Sequence, residues 1–495
     1  MEEADGQLLP GAKRYHFQPF DASMIDIQLQ GNGPNGAADL ANVKIKNKTG
    51  GVGSLLRTEV LDGDDRIISQ TEMTYSTDPV AHAEQGRVDQ VFTEAWKLTF
   101  DAQGTNHLYG QKTELEEYPH FLVSTTTTEA ERIAITKNVA YDFYTGLPTV
   151  VESENLHGEK FRTKSIAAYH QYPEMGLKVH DPNNRHMLEQ QTFSETVKID
   201  DWDGNEIGFV DASAATWTKR THYRILDEPQ PNLERYIDVL QDDGIYRKHE
   251  TYYYRAIGDP DGTYATRDNF NWLGSQTSNW QRGSEITRDD RYSKPLEAKD
   301  INGNYAATKM GYDQSLPLAT ASPSRYAELY YSGAEDLIVG TNWFGGEVQN
   351  RTGVQSADYA HTGEYSVKLG PSQSGNTQYG FQVLAQMGPS GIQTDGAYRA
   401  QVWVRDNGDL AKAKMNYYFR DVNGNDLTGF GGSNVAADNY SVRAGDWVLL
   451  DLDINIPNTL PSDAYLIVTT LIESTTTPAY FDDFRLAPLS ASMTS

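Results

Sequence analysis

The sequence predicts an all-β chain in which a sheet region built from repeated hairpins is followed by a β-sandwich of jelly-roll type. Three observations carry this. Apolar residues at helical spacing are scarce, and short segments with period-two alternation recur between clusters of Gly, Asn and Asp. The chain also holds 30 Tyr and 8 Trp, side chains that pack well across paired strands. At 495 residues the chain is too long for one core of about 100–200 residues. Composition shifts divide it into a β-rich region of unassigned fold (1–120), a hairpin-repeat region (121–332), a jelly roll (333–489) and a tail (490–495).

The bulk numbers suit a folded chain, with 38% hydrophobic and 22% charged residues. A formal charge of -27 repels phosphate backbones and anionic lipid, which argues against nucleic-acid partners and favours cations. Cysteine is absent, so disulfides and thiolate metal sites are excluded. No run approaches the ~18 apolar residues of a membrane helix, so no membrane insertion is expected. Met1 to Gly6 offers neither a basic n-region nor an apolar h-region. If the parent chain is secreted, this sequence is expected to be an excised middle section of it.

Individual elements follow from turn chemistry. Leu56 to Val60 leads into Asp62-Gly63-Asp64-Asp65, and Ile67 to Tyr75 alternates on the way back, the pattern of a hairpin. A five-residue pattern occurs at Asp201–Asn205, Asp300–Asn304 and Asp421–Asn425. Its Asp-Gly or Asn-Gly pair suits a type I′ turn, whose two central residues have positive φ. A calcium-loop reading fails because the Gly stands one place early for an EF-hand and no Glu closes the loop.

A second repeat joins Tyr-Asp to a downstream Leu-Pro, in Tyr141-Asp142 with Leu147-Pro148 and in Tyr312-Asp313 with Leu316-Pro317. Strand, turn and strand with a Tyr at one end suggest a sheet extended hairpin by hairpin. From about Tyr141 to Ser332 the chain resembles the Rhs/YD-repeat family of large exported shell proteins, some of which carry polymorphic toxins. The resemblance implies a structural, non-catalytic section of a larger bacterial chain, secreted or on the cell surface, with the remaining repeats and an export machinery as partners. Only two Tyr-Asp copies are present, and neither a core segment nor a toxin is visible.

From about Ala334 the alternations lengthen and Gly, Ser and Thr increase, giving some eight strands over ~155 residues, enough for a jelly roll. Four pieces mark it: Glu335 to Val339, Ala360 to Leu369, Tyr398 to Arg405, and Ala479 to Leu486. Their order resembles the carbohydrate-binding modules of the galactose-binding-like jelly roll. That resemblance implies a structural Ca²⁺ held by Glu335, the turn from His361 to Gly363, and Asp482 or Asp483, and hard oxygen ligands from distant strands are what Ca²⁺ takes. The plainer reading is that Asp482 and Asp483 only end a strand.

Strand parity bears on ligand binding. Tyr398, Ala400, Val402 and Val404 share the inward face, which leaves Trp403 with Gln401 and Arg405 on the polar face. Met415, Tyr417 and Phe419 likewise turn Tyr418 outward with Arg420. An aromatic ring among such side chains can stack a sugar and bond its hydroxyls, so Trp403, Tyr418, Gln401, Arg405 and Arg420 form the candidate glycan site. The alternative is that Trp403 and Tyr418 pack under a neighbouring loop or domain.

The usual catalytic motifs are absent: no Gly-x-Ser-x-Gly elbow, phosphate loop or His-Glu-x-x-His helix occurs. His170, His180 and His186 match no metal-ligand spacing and read as loop histidines. A carboxylate pair of glycosidase type is defined in space and escapes sequence inspection. Three functions follow in order of preference: a structural section of an Rhs-like protein carrying a glycan-binding module, a glycan-binding adhesin on a β stalk, and part of a glycoside hydrolase.

Overall fold

A computed structural model describes residues 3–4, 7–8, 11–32, 38–76, 89–100, 103–104, 106–129, 132–177, 187–227, 235–255, 268–371, 377–388, 391–474 and 476–495. The all-β class holds. Among these residues the α-helix is a single turn, Ala168–Gln171. The backbone divides into two compact units, residues 1–216 with 252–281, and residues 217–251 with 282–495. The division falls at neither 120 nor 332, because the long strands Glu206–Asp227 and Arg235–Tyr254 each contribute to both units.

In the first unit, Phe121–Glu129, Arg132–Tyr141, Pro148–Glu154, Lys160–Ala167 and Gln191–Ile199 pair antiparallel in chain order, a sheet extended hairpin by hairpin. The hairpin expected around Asp62 forms, with Leu55–Leu61 against Ile67–Ser76. Residues 1–120 also contribute a separate sheet, in which Ala38–Asn47 and Asn106–Glu117 pair in parallel.

One device closes the hairpins. The Oδ1 atoms of Asp62, Asn155, Asp290 and Asp421 each accept the backbone N–H groups two and four residues on, at 2.8–3.1 Å. A short side chain thereby satisfies two donors that the reversal leaves without a ladder partner. The repeats at 300–304 and 421–425 are hairpin turns, but not of type I′. Asp300 N bonds Asn304 O and Gly303 N bonds Asp300 O, and the left-handed position is Gly303 alone (φ 86°). This is the three-residue loop with a bulge, which needs one positive φ where type I′ needs two. Gly424 holds the same position (φ 84°), whereas in the first copy the left-handed residue is Asp203 (φ 53°), one place earlier, in a loop one residue longer closed by Asp200 N to Asn205 O.

The two Tyr-Asp copies differ. Tyr141 is buried against Phe121 and donates to Leu122 O, while Asp142 accepts Tyr144 N, Thr145 N and the Tyr169 hydroxyl. Tyr312 is half exposed, and Tyr312, Asp313 and Gln314 all have left-handed backbone. The second copy therefore does not reproduce the anchored Tyr of the first.

In the second unit, Trp280–Asp289 from Ser284 onward, Pro295–Asp300, Tyr305–Gly311 and Leu316–Ser322 form a meander. Residues 490–495, expected as a tail, instead carry a strand, since Ser492–Thr494 pairs with Leu316–Ser322.

The sandwich follows. Its strands in chain order are β1 Tyr330–Ser332, β2 Trp343–Phe344, β3 Val348–Asn350, β4 Val354–Ser356, β5 Ser366–Leu369, β6 Gln378–Gln386, β7 Ala397–Arg405, β8 Ala413–Arg420, β9 Ser433–Ala436, β10 Val442–Ala444, β11 Trp447–Asn455, β12 Tyr465–Ile472 and β13 Ala479–Pro488. One sheet runs β4-β5-β13-β7-β11-β10, with β1 also paired to β13, and the other runs β2-β3-β6-β12-β8-β9. Alternate residues from both meet inside: Tyr398, Ala400, Val402 and Val404 from β7, Phe381 and Val383 from β6, Met415 and Phe419 from β8. The inward parity read from the sequence is the parity observed.

Phe381 lies between Phe344 and Phe484, with ring centroids 5.8 and 5.6 Å away. Phe381→Ala should cost about 3–5 kcal/mol, the range for emptying a close-packed aromatic site. A shift of the urea midpoint of the C-terminal transition measures it, and a loss under about 1 kcal/mol would contradict this packing.

Candidate functional site

The residues implied as a calcium site do meet, around the turn from His361 to Tyr365. Glu335 Oε1 accepts the N–H groups of Glu364 and Tyr365, each at 2.8 Å. A β-carbon on Gly363 (φ 65°) would stand 2.3 Å from that oxygen, so the close approach requires glycine. Asp482 Oδ2 accepts His361 N at 2.7 Å and Thr362 N at 3.3 Å, and Oδ1 accepts Asp483 N. Asp483 takes the His361 imidazole and the Thr362 hydroxyl, both at 2.7 Å, and the Tyr331 hydroxyl at 3.1 Å.

Adjacent residues reach one turn together because β13 is irregular here. Its register against β7 shifts between the Gln401–Arg485 and Trp403–Asp482 pairs, and Asp483 has φ 48°. The bulge keeps Phe481 and Phe484 both inward and frees the two aspartates between them from strict alternation.

Asp482 is fully buried. Burial first, and the neighbouring Asp483 second, push its carboxyl up to about 8, against three backbone donors that pull it down. The locality is short of positive charge, and its hard carboxylate oxygens suit Ca²⁺. Side chains alone make no cage, however: among the described residues no three of His, Asp and Glu are grouped to hold a metal ion. Backbone carbonyls would have to complete a calcium shell, whereas the hydrogen bonds that hold this turn are donated by its N–H groups.

Trp403 does lie on the outer face of β7, as parity requires, but it is covered. The His361 ring stacks on it at 4.0 Å with an interplanar angle of 16°, held there by the same turn. Its neighbours are also engaged. Gln401 bonds Asp451, Arg399 bonds Asp453, and Arg405 bonds Asn407 and sits 3.3 Å over the Tyr359 ring.

Tyr418 is on the other sheet. The expectation that Trp403 and Tyr418 sit on adjacent strands is overturned: β7 pairs with β11 and β13, while β8 pairs with β12 and β9. The loop between β7 and β8 crosses from one sheet to the other, so the two rings belong to opposite outer faces and cannot form one platform.

The outer face of the Tyr418 sheet carries a different constellation. Register aligns Gln349, Gln382, Thr469, Asn416 and Asn434 in one row across five strands, with Gln349, Gln382 and Thr469 buried, Asn416 half-buried and Asn434 exposed. Beside this row, Tyr418 aligns with Ile467 and Leu384. Arg420 lies 5.2 Å over the Tyr418 ring and Arg351 lies 5.0 Å over Tyr379, while Arg351 Nη1 donates to Gln382 Oε1 at 3.4 Å. Burial raises the Tyr418 hydroxyl's pKa, opposed by Arg420 and Arg351. Asn416 Oδ1 is buried without a hydrogen-bond partner among the described residues. Sequence reasoning found Tyr418 and Arg420 and missed the polar row, although each member alternates with core residues in its strand. Parity could have flagged each polar residue singly, but only register joins them.

Elsewhere, His170 is exposed 3.6 Å from Asp142, and His180 and His186 lie outside the described residues. Among the described residues no helix is long and apolar enough to cross a membrane.

No family model matches the chain, and no curated protein matches it. Solved structures similar to it include a xylan-binding domain of carbohydrate-binding family 22 (20% identity, covering 32% of this chain and 93% of that one, TM-score 0.22). Another is the C-terminal family 22 module of Clostridium thermocellum Xyn10B (19%, 32% and 94%, TM-score 0.21). A third is TmCBM61 in complex with β-1,4-galactotriose (15%, 33% and 91%, TM-score 0.18). The sandwich itself stands on the chain's own sheets and register.

Asp482 gives a pH prediction. Its folded value of about 8 lies above the ordinary 3.8, so between these values the folded chain holds a proton that the unfolded chain has lost. Stability should then fall as pH rises from about 4 to 8 and level off above. Melting temperature against pH checks this, and Asp482→Asn should flatten the slope across that window.

Proposed function

We propose that the C-terminal sandwich is a non-catalytic glycan-binding module, and that its ligand lies on the outer face of the Tyr418 sheet. The observation that carries this is the accessible end of the row, Asn416 and Asn434, beside the Tyr418 ring, with the acceptor Asn416 Oδ1 left without a partner among the described residues for an incoming hydroxyl. Primary amides donate and accept at once, as a sugar hydroxyl does, and the Tyr418 and Tyr379 rings, each with an arginine over it, lie beside them. Trp403, Gln401 and Arg405 are engaged by protein partners on the opposite face, so the reading moves off them.

The strands from 121 to 199 act in this reading as a structural stalk or wall of a larger secreted or cell-surface protein of Rhs-like kind. Consecutive hairpins, each closed locally, support that role. Neighbouring repeats and export machinery would be its partners.

A glycan array followed by titration tests the module. Tyr418→Ala and Asn416→Ala should each weaken binding by about tenfold or more, the scale of one stacking or buried polar contact, while Trp403→Ala leaves affinity unchanged. Loss of binding in Trp403→Ala, with Tyr418→Ala unaffected, would return the site to the other sheet.

We also propose that Ca²⁺ adds to the hold on the 361–365 turn, supported by the hard oxygens of Glu335, Asp482 and Asp483, each of which bonds that turn. Chelation should then lower the melting temperature of the C-terminal transition, and Glu335→Ala should erase the difference, since an ion that binds only the folded form stabilises by mass action. Identical melts with chelator and with added Ca²⁺ would remove the metal from this account.

A further inference from the structure

A cavity of about 820 Å³ lies within the second unit, between the turns of the hairpin meander and the start of the sandwich. Its wall carries five carboxylates, Asp290, Asp313, Glu335, Asp336 and Glu347, against the basic side chains of Arg291 and His222. Most of these acids have partners. Glu347 faces Lys309 at 2.9 Å and accepts the Tyr326 hydroxyl at 2.9 Å. Asp336 accepts Tyr312 N and Gly345 N, Glu335 accepts the turn at 364–365, and Asp313 lies 3.5 Å from Arg291.

Asp290 is different. Its Oδ1 closes the hairpin by accepting Tyr292 N and Lys294 N, each at 2.8 Å. Its Oδ2 is buried with no hydrogen-bond partner among the described residues, in a side chain only 3% exposed. Turn aspartates elsewhere use the second oxygen: the Tyr169 hydroxyl fills it at Asp142, Asn304 Nδ2 at Asp300, and Asn425 Nδ2 at Asp421. The turn itself needs no charge, because Asn155 closes an equivalent hairpin with an amide. A second acceptor on the same wall, Gln314 Oε1, is likewise buried without a partner among the described residues.

Two unpaired acceptors on an acidic wall call for a donor that carries positive charge. The remainder of the wall is apolar, with Leu296, Met310, Leu337, Ile338 and Val339. A hydrated divalent ion needs six or more oxygen ligands and gains nothing from such a surface, and no metal-type grouping exists among the described residues. We propose that this cavity binds an organic cation: a primary ammonium group seated toward Asp290 and Gln314, on an apolar stem lying against Leu337 and Ile338. A free alkylamine or the lysine side chain of a partner protein would present this chemistry.

The intact chain titrated with n-hexylamine, n-hexanol and hexanoate tests the proposal by calorimetry. Hexylamine should saturate and bind at least about tenfold more tightly than hexanol, the scale of one charge-assisted hydrogen bond, and hexanoate should not bind. Asp290→Asn keeps the turn bonds that Asn155 makes elsewhere, so its melting temperature should hold while the amine preference disappears. Gln314→Gly suits the left-handed backbone at that position (φ 62°) and should weaken the amine without unfolding the chain. The peptide Ala-Lys-Ala separates the sources: binding beside hexylamine points to a lysine of a partner, and binding of hexylamine alone points to a free amine. Equal binding of amine and alcohol, amine binding that never saturates, or amine binding unchanged in both variants would overturn the proposal.

Discussion

The interdigitation of two apolar sheet faces, with Phe381 packed against both Phe344 and Phe484, is the constraint on which the sandwich depends. Close packing leaves each strand of that core one acceptable parity, because a slip by one residue would drive the whole inner set into water. Once Val402, Val404, Met415 and Phe419 are inside, the outward placement of Trp403 and Tyr418 is no longer free. The candidate glycan row on the Tyr418 sheet is likewise a by-product of core register. Gln382 and Thr469 lie on the side opposite the core because Val383 and Val468 face in, and both are buried there.

Where β13 departs from regular pairing, chemistry concentrates. The bulge beside Asp482 lets two consecutive carboxylates serve one turn and draws that turn across the sheet, where His361 covers Trp403. Burying Asp482 costs free energy, visible in its raised pKa. The return is that two segments more than a hundred residues apart, the 361–365 turn and β13, are tied together. The same contacts cover Trp403, so one irregularity in the last strand takes its ring out of the exposed surface.

In the hairpin regions the controlling scale is local. An Asp or Asn that caps the N–H groups two and four residues on closes each turn without help from distant parts of the chain. Such turns let a sheet grow by consecutive hairpins, and they leave the second carboxylate oxygen of each Asp available for another task. At Asp142 that task is internal, a bond from Tyr169. At Asp290 no donor among the described residues takes it up.

The sequence by itself determined the β class, the hairpin around Asp62, the turns at 300–304 and 421–425, and the inward faces of β7 and β8. All of these follow from interactions between near neighbours or from the fixed alternation of a strand. Glu335, the 361–363 turn, Asp482 and Asp483 were expected together only through a resemblance to carbohydrate-binding modules, and they do lie around one turn. Tertiary structure decided the rest. Whether Trp403 and Tyr418 share a sheet depends on which sheet the β7–β8 loop delivers the chain to, and no local signal records that. Whether a ring is bare or covered depends on a turn 40 residues away in sequence from Trp403, and the row from Gln349 to Asn434 exists only after five strands from separate stretches of chain have been set in register.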